Sequence, residues 1–376
     1  MSLIRYATRI HFAERVLEDA LPEEVKARGV LAPLVVVDAD TGPALARVLD
    51  CLPVACRPRV LDLAGLPTCA AMGEAVARAL QGPDAEEGGG ATPCDAVIGV
   101  GGAPAVSLAQ QLAGDERAPA RGSRRSAREP MPILTVPTLP GCLGLGPQPW
   151  PARERRGGAS ALRVPDVVFC DPSLVRPADP ARLAASGMDA LVHCLEAFLA
   201  NVWNPPADGM AYDGLRRASL WLERLVADPA DADAGREMLA AALNGALAAQ
   251  KGLGAIHAIA HALETMAVRP DSHGELHAAL VGPVLAFNAP AVPERLAIAA
   301  QALQVSGEGR GEACGLVDHL AALGARLGLP GSLAHLGLTA TGIDRIAAAA
   351  ARAPANRDNP RYANAADYRR MIEEAS

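Results

Sequence analysis

The chain has 376 residues, 50% of them hydrophobic and only 3% aromatic, so its length favours two domains with cores built mainly from Ala, Leu and Val. Its net charge of −7, from 35 basic and 42 acidic residues, argues against nucleic acid as a partner. It contains neither an apolar run of about 18 residues nor a signal-peptide pattern at the N-terminus, so we expect a cytoplasmic protein without a membrane partner.

The first half of the chain predicts a parallel α/β sheet. Apolar runs at 34–37 (LVVV), 96–100 (AVIGV) and 132–136 (PILTV) indicate strands, and segments with helical spacing lie beside them. Strand, turn, helix, strand is the order typical of a parallel sheet covered by helices on both faces. A nucleotide binds such a sheet at the carboxyl ends of its strands.

Candidate cofactor residues follow these predicted strands. Gly101 and Gly102 precede a helical segment whose backbone N–H groups could hold a pyrophosphate, although two glycines after a strand are more often only a tight turn. Asp38 ends the first strand and is placed to accept a hydrogen bond from an adenosine ribose, which favours NAD over NADP. Spacing alone allows Asp38 to cap the following turn instead. Thr138 follows the third strand.

Two polar stretches, 82–93 and 116–132, are rich in Gly, Pro, Ser and Arg and lack periodicity, so we interpret both as surface insertions. The second contains five arginines. It is either a solvated loop or an aid to binding an acidic ligand.

Helical periodicity dominates from about residue 177 to the end of the chain. We therefore predict an α/β domain at 1–172 and a helical domain at 173–376.

Candidate metal ligands are concentrated in the helical half. Asp189 and His193 are four residues apart, as are His257 and His261, so each pair lies on one face if its segment is helical. One such pair is usually a cap or a surface pair, but two in one chain favour a site. His273 follows a break at 269–271 that can turn the chain back. Two helices and a turn would then present a carboxylate and imidazoles to iron or zinc.

The same segments carry a family resemblance. GMDALVHCLEAF (187–198) and GLGAIHAIAH (252–261), followed by His273-Gly274, resemble the iron-containing (group III) alcohol dehydrogenases. SHGELHAALVGPVLAFNAPAVPE (272–294) and the C-terminal NPRYANAADYRRMIEEA are similar to the maleylacetate reductases. The resemblance covers nearly the whole chain from Tyr6. It implies a dehydroquinate synthase-like fold, in which a Rossmann-like sheet domain precedes a helical metal-binding domain.

The resemblance also implies roles for individual residues. A divalent metal ion, Fe or Zn, is expected on Asp189, His193, His257 and His273. His261 and His277 are expected to be catalytic, His261 as a proton relay, and His277 matches the second histidine of the reductase pattern. His273 comes sixteen positions after His257, two more than the family leads us to expect, so His277 could replace His273 as a ligand.

The resemblance implies an enzyme, similar to maleylacetate reductase, that interconverts an alcohol and a carbonyl compound with NAD(H). Its substrate is expected to be a small carbonyl compound or alcohol, or an acidic molecule. A homodimer is expected. Reductases of this kind typically carry asparagine where Asp189 stands.

Several cofactor positions depart from the family pattern. A third glycine and a serine are replaced by Ala103 and Pro104, and an acid and a lysine by Ser107 and Gln110. The turn that begins at Phe12 lacks the glycines of the family pattern. A later family segment, two threonines followed by a loop of small residues, corresponds to 137–146, where only Thr138 is kept. These changes predict weakened or abolished dinucleotide binding. They leave open an alternative, a non-redox metal-assisted lyase, cyclase or hydrolase on the same fold.

Overall fold

A computed structural model describes residues 8–39, 41–64, 76, 79, 94–113, 130–141, 143–145, 163–175, 179–265, 273–305 and 312–376. The predicted insertion at 82–93 and all five arginines of the predicted loop at 116–132 lie outside the described residues.

In the described part of the first half, six strands form a fully parallel sheet in the order β1-β6-β5-β4-β2-β3. Its strands are β1 (Arg9–Phe12), β2 (Pro33–Val37), β3 (Arg59–Asp62), β4 (Ala96–Gly101), β5 (Ile133–Pro137) and β6 (Val167–Cys170). The three strands predicted from apolar runs are confirmed as β2, β4 and β5. This order places the carboxyl ends of those three strands side by side.

Helices cover both faces of the sheet. Helices α1 (Val16–Ala27) and α2 (Gly42–Cys51) share a core with Ile98 and Val100, whereas α3 (Ala103–Ala113) shares the opposite core with Val97. Successive side chains of a strand point to opposite faces, so a strand buried on both sides is apolar throughout. At Gly99 an added Cβ would lie 3.0 Å from Ala109 Cβ, which shows how closely α3 packs on β4.

The remaining described residues are helical after β6, apart from turns and short 3₁₀ segments. The helices are α4 (Pro180–Leu199), α5 (Pro205–Ala227), α6 (Ala232–Ala248), α7 (Ala255–Thr265), α8 (His273–Asn288), α9 (Pro293–Ala302), α10 (Glu312–Arg326), α11 (Ala340–Arg352), α12 (Pro354–Asp358) and α13 (Ala365–Glu374). Within the described ranges, no helix combines the length and apolarity needed to cross a membrane. The domain boundary at 172 stays a prediction.

Helix α4 lies at the centre of the helical part. Asp179 caps its N-terminus by accepting a hydrogen bond from Ala181 N, and Pro180 is its first residue. Its residues are buried almost all round, in a core that continues to Val168 and Cys170 at the end of β6. Glycine allows the neighbouring helices to approach closely, because an added Cβ at Gly187 would lie 2.1 Å from Leu222 of α5. This packing fixes the position of α4 relative to the sheet.

Candidate metal centre and cofactor edge

Three helices bring six predicted site residues together. Helix α4 supplies Asp189 and His193, α7 supplies His257 and His261, and α8 supplies His273 and His277. Their potential ligand atoms form overlapping groups within 4.8 Å: Asp189, His193 and His257; His257, His273 and His277; and His261 and His273 with Glu264. The i,i+4 pairs therefore do lie on single helix faces, and those faces converge.

His273 differs in local structure from the prediction. It is the first residue of α8 and does not lie on a turn, so three helices form the cluster instead of two helices and a turn. His277 stands one helical turn further along and therefore shares the same face. The connecting residues 266–272 lie outside the described part of the chain.

The imidazoles of His193 and His257 face each other. His193 Nδ1 lies 2.9 Å from the carbonyl oxygen of Asp189 and His257 Nδ1 lies 2.7 Å from Glu196 Oε2, so each ring donates its Nδ1 proton to an oxygen. The two Nε2 atoms, 3.2 Å apart, are left with lone pairs directed at one another. Such an approach is favourable only with a cation between them, either a proton or a metal ion. Two ligands on a tetrahedral zinc ion lie roughly 3.3 Å apart, so the spacing fits a metal site.

Asp189 supplies a negative charge to the cluster. Burial alone raises the pKa of a carboxyl group, but the neighbouring His193 and His277 hold the pKa of Asp189 well below its usual range. Burial likewise opposes protonation of His193, yet the adjacent Asp189 raises the pKa of His193. Asp189 is thus ionised at neutral pH, as an anionic metal ligand must be.

Buried polar atoms without partners lie in the same place. Asp189 Oδ1 and both ring nitrogens of His277 are buried and make no aligned hydrogen bond to any other described residue. The distance of 3.3 Å between Asp189 Oδ1 and His277 Nδ1 brings the two groups close without aligning them. Leaving such groups unsatisfied costs about 1–3 kcal/mol each. A bound divalent cation would satisfy them, and the oxygen and nitrogen donors suit iron or zinc.

The other two histidines form an outer pair. His273 Nδ1 lies 2.5 Å from Glu264 Oε1, and the ring centroids of His261 and His273 are 5.0 Å apart. Burial, together with the nearby His273, lowers the pKa of His261 to about 3. Burial also lowers the pKa of His273 to about 4 and that of His277 to about 4. All three rings are therefore neutral at pH 7, and a neutral ring nitrogen can bind a cation.

Two carboxylates in the cluster were missed from the sequence. Glu196 accepts hydrogen bonds from the backbone N–H groups of Gly254 and Ile256 and holds His257 Nδ1. Burial raises the pKa of Glu196 to about 7, although these N–H groups oppose the shift. Glu196 lies three residues after His193, a spacing that places both on one helix face and could have identified it. Glu264 has the same spacing from His261.

The predicted cofactor residues meet at the carboxyl edge of the sheet. Asp38 Oδ2 accepts a hydrogen bond of 2.8 Å from Gly102 N, and Thr138 N donates one of 3.1 Å to the carbonyl oxygen of Gly101. Gly101 has a φ of 142°, and an added Cβ there would lie 2.3 Å from Asp38 Oδ1. Glycine is therefore required at this turn. Asp38 also holds the turn after β4, a role not considered from the sequence, and its predicted contact with a ribose stays a prediction.

Positions that depart from the family pattern have structural roles of their own. Gln110 is buried, and its Nε2 donates to the carbonyl oxygens of Gly144 and Arg163, so it supports the segment after β5. Ser107 is also buried in α3. Arg15, in the turn after β1, has a positive φ of 58°, a conformation more readily adopted by glycine.

One segment connects the cofactor edge to the cluster. Thr138 lies beside Gly101, and three residues further on Gly141 packs on α4. An added Cβ at Gly141 would lie 2.5 Å from Ser186 Oγ and 3.3 Å from Asp189 Oδ2. The turn after β4 and the helix carrying Asp189 are therefore linked through residues 138–141.

Comparison with known proteins relates the chain to one family. Residues 183–376, which include every histidine of the cluster, match the model of the Fe-containing alcohol dehydrogenase family, C-terminal. A 4-hydroxybutyrate dehydrogenase of Cupriavidus necator is 32% identical and is aligned over 100% of both chains. A maleylacetate reductase of Sphingobium indicum is 31% identical over 69% of this chain and 68% of its own length.

A solved structure shares the whole architecture. The alcohol dehydrogenase from Oenococcus oeni is 21% identical and covers 100% of both chains with a TM-score of 0.81, which shows a common fold. Family model, relatives and fold agree, and the chain belongs to the iron-containing alcohol dehydrogenase family of dehydrogenases and reductases.

Proposed function

We propose that this protein is a metal-dependent oxidoreductase that interconverts a small alcohol and its carbonyl compound with NAD(H). The observation that carries the proposal is the direct link between the turn at Gly101-Gly102 and Asp189 through residues 138–141. A nicotinamide cofactor lying along that segment would reach from the sheet to the metal cluster. Two relatives are named for substrates that bear carboxylates, so we extend the proposal to a hydroxy acid or keto acid substrate.

The metal ion is assigned to Asp189, His193, His257 and one histidine of α8, which the sequence predicted to be His273. A divalent cation bound there supplies Lewis-acid polarisation of the carbonyl or alcohol oxygen. The chain's own contribution is to fix the ligands: Asp189 stays ionised, and Glu196 holds the Nδ1 proton of His257 so that Nε2 faces the site. His261 is only partly buried, and we assign it the transfer of a proton between the site and solvent.

We propose that NAD(H) is bound weakly. Gly102 N already donates to the carboxylate of Asp38, and Pro104 has no N–H, so few donors at the start of α3 remain for a pyrophosphate. Asp38 would also repel the 2′-phosphate of NADP, which favours NAD. The same observation favours the second candidate, a non-redox metal-assisted enzyme that no longer uses a dinucleotide.

The deciding experiment titrates the metal-loaded protein with NADH and NADPH by calorimetry and follows 340 nm absorbance with short hydroxy acids and keto acids. We expect weak but measurable NADH binding, weaker NADPH binding, and turnover that is lost in His193→Ala. Asp38→Asn removes the charge while keeping an oxygen that can accept a hydrogen bond from Gly102 N. It should therefore reduce the difference in affinity between NADH and NADPH. Absence of binding at millimolar NADH would reject redox function in favour of the second candidate.

A further inference from the structure

The segment 357–361 (RDNPR) contacts the ends of the three helices that carry the candidate metal ligands. Asn201, two residues after the end of α4, donates its backbone N–H to the carbonyl oxygen of Asp358 at 2.9 Å. The side chain of Asn201 donates to the carbonyl oxygens of Arg357 and Asn359, each at 3.2 Å. The segment is therefore fixed to the C-terminal end of α4.

Asn359 completes the N-terminal cap of α7. Its Oδ1 accepts a hydrogen bond of 3.0 Å from the N–H of Ala255, the first residue of that helix, while Glu196 takes the neighbouring N–H groups. An added Cβ at Gly254 would lie 2.7 Å from Glu196 Oε1 and 2.8 Å from Asn359 Oδ1, so the two side chains enclose the start of the helix. The first N–H groups of a helix have no partner within it, so these acceptors fix its first turn, which contains His257.

The same amide joins the start of α7 to the end of α8. Asn359 Nδ2 donates to Oδ1 of Asn288, the last residue of α8, at 2.8 Å, and Asn288 Nδ2 donates back to Asn359 Oδ1 at 3.0 Å. Asn359 is 1% exposed and Asn288 2%. Beside them, Arg361 donates to the carbonyl oxygen of Phe287 at 3.2 Å, and its guanidinium lies 4.3 Å from the centre of the Phe287 ring. Because water does not reach a buried amide pair to replace a lost partner, the pair holds the two helix ends at one distance.

We propose that Asn359 is a positioning residue of the metal centre, which sets the place of His257 relative to α8 by joining the start of α7 to the end of α8. Glu196 orients the ring of His257, whereas Asn359 fixes the point at which the helix carrying that ring begins. The proposal rests on the function proposed above only in that both need a metal ion in this cluster.

The test titrates full-length, metal-free variants with Co²⁺, followed by calorimetry and by the visible absorption of the bound ion, which reports its ligand geometry. Asn359→Ala should weaken Co²⁺ binding by at least about tenfold, as loss of a group that supports a ligand does, and should alter the visible spectrum because His257 is displaced. Asn288→Ala leaves Asn359 Oδ1 able to accept from Ala255 N, so it should weaken binding by a smaller factor.

Asn356→Ala is the matched control. Asn356 lies three residues before Asn359 and is also 1% exposed, but its side chain donates to the carbonyl oxygens of Ala351 and Ala363, each at 2.9 Å. Its replacement also removes buried hydrogen bonds and should lower the unfolding temperature as Asn359→Ala does. Co²⁺ affinity and the visible spectrum should stay as in the unmodified chain.

Circular dichroism checks that each variant is folded. Equal Co²⁺ affinity and equal spectra in folded Asn359→Ala and Asn356→Ala would overturn the proposal. If Asn359→Ala does not fold, the same comparison between Asn288→Ala and Asn356→Ala decides. An unmodified chain that binds no Co²⁺ would overturn this proposal together with the metal-dependent function. Absence of NADH binding alone would overturn only the redox function.

Discussion

Glu196 determines how α4 and α7 meet. Its two carboxylate oxygens accept from the backbone N–H groups of Gly254 and Ile256 at 2.9 and 2.7 Å, and Oε2 also holds His257 Nδ1. The first N–H groups of a helix have no partner within the helix itself, so a carboxylate from another helix is a stabilising cap for α7. The same oxygen fixes the orientation of the His257 ring. One side chain therefore serves both folding and the metal site.

Glu196→Gln should weaken both the stability of the fold and the binding of the metal ion. The amide keeps one acceptor oxygen but places an NH₂ group against a buried N–H, so the free energy of unfolding should fall by about 1–3 kcal/mol. Metal affinity should fall by about 10–100-fold because His257 is less firmly oriented. Urea unfolding and metal titration measure the two effects.

Glu223→Gln is the matched control. Glu223 is 48% exposed and pairs with the similarly exposed Arg326, so its replacement should change stability by less than about 1 kcal/mol and leave metal affinity unchanged. Unaltered metal affinity in Glu196→Gln would show that His257 does not need this carboxylate.

The crossing of α4 and α8 depends on Gly274. An added Cβ there would lie 1.7 Å from the carbonyl oxygen of Ala185 and 2.4 Å from its carbon, and backbone atoms of a packed helix cannot move aside cheaply. Gly274 directly follows His273 and precedes His277 by less than one turn. The close approach at this point therefore sets the distance from His277 to Asp189.

Gly274→Ala should displace the start of α8. We expect a loss of about 1–3 kcal/mol of stability from overpacking, together with a loss of at least about tenfold in metal affinity. Gly282→Ala on the same helix is the control, because an added Cβ there would lie 3.7 Å from its nearest neighbour, Val317 Cγ1. That variant should be neutral or more stable by up to about 1 kcal/mol. Equal behaviour of the two variants, measured by thermal unfolding and metal titration, would contradict this account of the crossing.

At the scale of the whole molecule, the candidate metal ligands tie together segments that are far apart in the chain. Helices α4, α7 and α8 share the largest hydrophobic core, which extends to Leu143 and Leu145 after β5, whereas the two faces of the sheet have separate cores. A cation held by all three helices binds the folded chain and not the unfolded one. The metal ion should therefore raise the free energy of unfolding by mass action.

Removing the metal should lower the unfolding temperature. At a free metal concentration about 100 times Kd the stabilisation is about 2.7 kcal/mol, which for a helical part of this size corresponds to about 5–10 °C in Tm. Thermal unfolding with metal and with an excess of chelator measures the shift. His193→Ala, which lacks a ligand, should show no shift. A metal-dependent shift of full size in His193→Ala would place the cation elsewhere.

Much of the candidate site follows from local patterns. Asp189 with His193, and His257 with His261, lie on helix faces as their spacing predicts, because the α-helical repeat brings residues four apart together in any context. Likewise the runs at 34–37 and 96–100 became strands, since only β-branched and apolar residues suit a strand buried on both faces. The homodimer and the cytoplasmic location, which do not depend on such patterns, stay predictions.

The sequence by itself thus determined three of the six described strands, the helical character of the second half, and the side-chain pairs on α4 and α7. The tertiary structure decided which of those groups meet. The order of the strands places Asp38 in contact with Gly102. The close crossing of α4 and α8 at Gly274 places His277 next to Asp189. His273 instead pairs with Glu264. Strand order and helix crossing depend on packing between residues distant in the chain, and no local periodicity encodes that packing.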